Sequence, residues 1–79
     1  MKVEVRLFAT LARYLPRSAT GDSATFDLPD GASVADIVSS LAVPPDLECL
    51  TVVNGRDAAR DHRLADGDVL SIFPPLAGG

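Results

Sequence analysis

The residues best placed to do chemistry are the last two, Gly78 and Gly79, which end the chain on a glycine carboxylate. At an average glycine usage of ~7%, a glycine pair closes a chain by chance in only ~0.5% of sequences, so the ending calls for an explanation. Such a carboxylate, with a reference pKa of roughly 3.5, is ionised at neutral pH and resists nucleophilic attack. Acyl chemistry at Gly79 therefore needs prior activation, and the usual route is attack of the carboxylate on the α-phosphate of ATP to give an acyl-adenylate. That route requires a phosphate site and Mg²⁺. The chain has no P-loop, no G-x-G-x-x-G and no G-x-S-x-G, so the activating enzyme has to act in trans.

No other residue competes for a chemical role. His62 is the single histidine and sits in the charged run Arg60-Asp61-His62-Arg63, with no second His or Cys nearby to make a metal site; it reads as a solvated loop residue. Cys49 heads an apolar stretch without a basic neighbour and reads as a small hydrophobe. The aspartates at 30, 57, 61, 66 and 68 fall mostly in turns, where aspartate bonds its own backbone.

The run Phe73-Pro74-Pro75-Leu76-Ala77-Gly78-Gly79 is suited to presenting that carboxylate. Each proline fixes φ and removes an amide donor, so a strand reaching Phe73 cannot continue as an ordinary paired strand. Ala77 and the glycines have almost no bulk and fit a slot too narrow for larger residues. Residues 74–79 span up to ~20 Å when extended, at ~3.3–3.6 Å each, enough to enter a partner's buried site while the fold stays outside. The bland alternative is a frayed terminus, which does not ask for Pro-Pro or paired glycines.

A base must hold this tail. Lys2 to Leu7 alternates strictly, Val3, Val5 and Leu7 against Lys2, Glu4 and Arg6, the period of a half-buried strand. In Phe8 to Leu15 the apolar residues Leu11, Tyr14 and Leu15 are spaced for one or two helical turns, closed by Pro16. Ala24 to Leu28 offers a short strand, ended by Pro29-Asp30-Gly31. Ser33 to Leu41 is the clearest helix: Ser33 caps it, Asp36 completes a capping box, and Val34, Ile37, Val38 and Leu41 form one apolar face. Cys49 to Val53 is a strand, Asn54-Gly55 a tight reversal, Arg56 to Arg63 polar and irregular, and Val69 to Phe73 the last strand.

That last strand is apolar on both faces, which marks a central, doubly covered position. With one substantial helix available, two coverings are open for the second face near Phe73: a partner protein, or the segment Phe8 to Leu15. A first strand beside the last with one helix across the sheet is an α+β roll. The expected division is a domain over residues 1–73 and an extended tail over 74–79.

The bulk properties narrow the function. The chain has 79 residues, one domain near the lower size limit for a stable core. Its net charge of −4, with seven scattered Lys and Arg, disfavours nucleic acid. One cysteine allows no intramolecular disulfide, no C-x-x-C pair and no iron–sulfur cluster. Without a signal-peptide core or an apolar run of spanning length, no membrane role and a cytoplasmic location are expected.

The sequence resembles the MoaD/ThiS family of ubiquitin-like sulfur carriers over nearly its whole length. The resemblance is carried by the strand Val3 to Phe8, Leu28-Pro29-Asp30-Gly31-Ala32-Ser33-Val34, Val53-Asn54-Gly55, Leu64-Ala65-Asp66-Gly67-Asp68 and the tail. The ending looks most like that of the small subunit of molybdopterin synthase. It implies a β-grasp (ubiquitin-like) roll, a mixed sheet of about four to five strands gripping one main helix. It also implies a cycle in which an E1-like adenylyltransferase, using ATP and Mg²⁺, activates Gly79 and a sulfur donor protein converts it to a thiocarboxylate. The tail then enters the molybdopterin synthase large subunit to build the dithiolene of the molybdenum cofactor. By matching position Gly79 carries the sulfur, Gly78 lines the narrow passage, and Phe73, Pro74, Pro75, Leu76 and Ala77 make partner contacts. The charged segment Arg56 to Arg63 departs from the family pattern.

Other readings remain open at this level. A carrier for thiamin thiazole or cysteine synthesis differs only in its clients. A protein modifier uses the same activated glycine to acylate lysines. A β-grasp binding module needs no tail at all.

Overall fold

A computed structural model describes residues 1–15, 21–41, 43 and 49–74. Five strands form one mixed sheet in the order β2-β1-β5-β3-β4. Strand β1 (Lys2–Leu7) buries Val3, Val5 and Leu7, as its alternation predicts. It pairs antiparallel with β2 (Ser23–Asp27) and parallel with β5 (Val69–Phe73). On the other side of β5, β3 (Leu50–Val53) runs antiparallel to it. The first and last strands are therefore neighbours, and β5 is central.

Between β1 and β2 the expected helical turns are a 3-10 helix, Ala9–Tyr14. The Leu11 amide donates to the Phe8 carbonyl three residues back, at 3.0 Å. This tighter winding drops Leu11 into the core, where it is buried, with Tyr14 and Leu15 packed against it.

Helix α1 (Val34–Ser40) begins with the expected capping box: the Ser33 amide donates to Asp36 Oδ2 at 2.9 Å, and the Asp36 amide to Ser33 Oγ at 3.4 Å. Two further amide donors of its first turn are satisfied by a distant segment. Val34 N donates to the His62 carbonyl at 3.0 Å and Ala35 N to the Arg60 carbonyl at 2.8 Å. Arg56 to Arg63 is thus not merely irregular. Its first residues form a short strand, β4 (Arg56–Asp57), paired with β3, and its carbonyls tie down the helix. The two-residue strand has no alternation to betray it, and a carbonyl acceptor leaves no mark in the side-chain sequence.

Val34, Ile37, Val38 and Leu41 of the helix meet Val3, Val5, Leu7, Leu70 and Ile72 of the sheet in one core. Each fully buried aliphatic side chain contributes about 1.5–3 kcal/mol by leaving water. Opposite the helix N-terminus, Gly31 adopts φ 86, and Arg63 Nη1 donates to its carbonyl at 3.0 Å. A β-carbon at position 31 would stand 3.2 Å from that same Nη1, so glycine serves both the turn and the contact.

Candidate functional site

The expected site starts where β5 leaves the sheet. Hydrogen bonding to β1 and β3 on its two sides fixes the direction in which the chain emerges at Phe73. Phe73 and Pro74 are half-buried; the expected site residues Pro75, Leu76, Ala77, Gly78 and Gly79 lie outside the described residues.

Pairing places beside Phe73 two residues that sequence reasoning did not assign to the site, Phe8 and Leu50. In the parallel register Leu7 stands beside Ile72, and one step further Phe8 stands beside Phe73. Their rings stack with centroids 4.6 Å apart and planes within 5°. On the other side Leu50 pairs with Phe73. Leu7, Ile72 and Thr51 point into the core, so Phe8, Phe73 and Leu50 project from the opposite face. They form an apolar row across three strands at the root of the tail. Leu50 is 54% exposed, the exposed large hydrophobic among the described residues.

Of the two coverings open for this face, the internal one accounts for part. Phe8 covers Phe73, while Leu11 turns into the core and Leu50 stays open. One strand pair below the row, Arg6 donates to Glu4 on the same face. That hydrogen bond, with the Glu4 charge, raises the guanidinium pKa above its ordinary value, and the pair bounds the apolar row with charged groups.

The remaining polar residues have structural places. Asp66 Oδ1 accepts from Lys2 N at 2.7 Å, and Asp68 Oδ2 accepts from Ala65 N at 2.8 Å. The His62 side chain is exposed and Cys49 is half-buried against the core. Among the described residues no cluster of three His, Cys, Asp or Glu could hold a metal ion, and no helix is long and apolar enough to cross a membrane.

Comparison with known proteins follows the same lines. The model of the ThiS family matches residues 5–79. Small archaeal modifier protein 3 from Haloferax volcanii is 31% identical over 99 aligned positions covering all of both chains. The crystal structure of SAMP1 from Haloferax volcanii superposes with a TM-score of 0.76 at 29% identity, again over all of both chains. A chain of the complex of subunits 1 and 2 of molybdopterin-converting factor from Helicobacter pylori gives a TM-score of 0.61 at 25% identity, with full coverage of both chains. A five-stranded mixed sheet with one capped helix, folded from a sequence that the family model matches almost from end to end, makes this chain a member of the ThiS family of ubiquitin-like sulfur carriers.

Proposed function

We propose that the chain is the sulfur-carrying small subunit of a molybdopterin synthase. The Gly79 carboxylate attacks the α-phosphorus of ATP and pyrophosphate leaves. The outer sulfur of a donor-protein persulfide then attacks the acyl carbon and AMP leaves; a thiol cleaves the resulting acyl disulfide, forming a disulfide with the donor sulfur and releasing a thiocarboxylate whose sulfur is passed to the cofactor precursor. ATP and Mg²⁺ belong to the activating enzyme. The observation that carries this reading is the position of the tail root: a central strand, clamped on both sides, that ends beside an apolar row. A partner packing on Phe8, Phe73 and Leu50 would take the emerging chain directly into its own interior. The likeness to a molybdopterin-converting factor subunit solved with its companion subunit supports the choice of client.

The test is intact mass spectrometry after incubation with ATP, Mg²⁺, the activating enzyme and a sulfur source. One oxygen should be exchanged for one sulfur, with the change confined to Gly79. A chain lacking Gly78 and Gly79 should fold normally and never acquire sulfur. Failure of the intact chain to gain sulfur under conditions that load a known carrier would reject the proposal.

A second reading, a protein modifier joined through Gly79 to lysines, is favoured by the similarity to small archaeal modifier protein 3 and SAMP1. Recovery of Gly79–lysine isopeptides from cells, without a cofactor defect on deletion, would decide for it.

A further inference from the structure

At the other end of the sheet from the tail root lies an Asn-Gly step that the proposed chemistry does not use. Asn54 and Gly55 both adopt positive φ, 52 and 83, in the two-residue turn between β3 and β4. The Asn54 side chain is held at both amide atoms. Nδ2 donates to Asp68 Oδ1 at 2.9 Å, and Oδ1 accepts from Val69 N at 2.9 Å. Its backbone amide donates to the Val69 carbonyl at 2.9 Å. Asp68 is itself fixed, since its Oδ2 accepts from Ala65 N at 2.8 Å and its carbonyl from Glu4 N at 3.0 Å.

We infer that Asn54 is a site of spontaneous covalent modification, deamidation through a cyclic imide with Gly55, held in check by the clamp of Asp68 and Val69. The backbone nitrogen of Gly55 attacks Asn54 Cγ. A Cγ–N bond forms, the Cγ–Nδ2 bond breaks, and Nδ2 leaves as ammonia carrying the proton lost by the Gly55 nitrogen. Water then opens the ring at either carbonyl, leaving aspartate or isoaspartate at position 54. Glycine at 55 favours the attack because no side chain crowds the nitrogen.

The folded geometry opposes this step. Cγ cannot swing toward the Gly55 nitrogen until both side-chain hydrogen bonds break, and one of them is strengthened by the Asp68 charge. The reaction therefore proceeds from locally opened forms, and its rate follows the opening of this end of β3 and β5. The product does not reclose in the same way. A carboxylate at 54 has no proton to give Asp68, and two like charges meet where an amide formed the bridge. The turn thus records past openings in a covalent mark.

The test incubates the full chain beside a peptide of residues 50–58 at mildly alkaline pH, reading intact mass and isoaspartate by peptide mapping. The peptide should convert, and the folded chain should convert slower by about tenfold or more. Asp68→Ala, verified as folded by circular dichroism, should speed conversion on the order of tenfold through loss of a charged hydrogen-bond partner. Equal rates in peptide and folded chain, or a folded Asp68→Ala variant no faster than the parent, would overturn the inference. Should that variant not fold, urea below the unfolding transition takes its place: conversion of the parent chain rises with urea if the clamp protects, and a flat response rejects it.

Discussion

Leu50 and Phe73 are cross-strand neighbours, yet substitutions at the two should have different consequences. Leu50 is more than half exposed, so Leu50→Glu should leave folding stability within about 0.5 kcal/mol of the parent. If the apolar row docks the activating enzyme, the same change should raise KM for sulfur loading with little effect on kcat. Phe73→Ala removes a stacked ring as well as buried area, and should cost on the order of 2 kcal/mol. Thermal unfolding and loading kinetics measured together separate the effects. Unaltered kinetics for a well-folded Leu50→Glu chain would remove the outer face from the docking surface. Phe73 was identifiable from sequence because it immediately precedes the prolines. Phe8 and Leu50 were not, because their place depends on which strands pair and in what register, and strand order leaves no local signal.

Elements were legible wherever a local rule fixes them. The capping box at Ser33 and Asp36, the helical face from Val34 to Leu41 and the Asn54-Gly55 reversal are where short-range chemistry puts them. Ser33→Ala should cost about 1 kcal/mol in chemical denaturation, since it removes the side-chain acceptor of the Asp36 amide. The loss should not grow to complete unfolding of the helix, because the carbonyls of Arg60 and His62 still hold the Val34 and Ala35 amides of the same first turn. The role of Arg56 to Arg63 was hidden for the opposite reason. Its contribution is made by backbone groups and a two-residue strand, so its charged side chains describe only the solvent side. The spacing after β1 predicts helical turns where the 3-10 helix Ala9–Tyr14 lies, but side-chain spacing over so few residues does not separate a 3-10 from an α winding.

At the scale of the molecule, the parallel pairing of β1 with β5 separates the one lysine from the tail root. Gly67 N donates to the Lys2 carbonyl at 2.8 Å, whereas the chain leaves the sheet at Phe73. The intervening strand covers ~20 Å at ~3.3 Å per residue, about the full reach of the tail itself. Acylation of a chain's own Lys2 would therefore demand a fully extended return of residues 74–79 along the sheet. Should copies be joined as modifiers are, Lys2 of a second copy is the only side-chain amine available, and the products are unbranched. Lys2→Arg should abolish such conjugates on denaturing gels and leave sulfur loading unchanged. The same pairing has a consequence for synthesis. In the folded sheet β5 lies between the β1–β2 pair and the β3–β4 pair, so the two pairs cannot be joined before residues 69–73 have left the ribosome. A prematurely released chain lacks the centre of its sheet and presents to cellular proteases a polypeptide that cannot close its core. The architecture thus acts as a check on completeness, because the strand that joins the two halves of the sheet is the last one made.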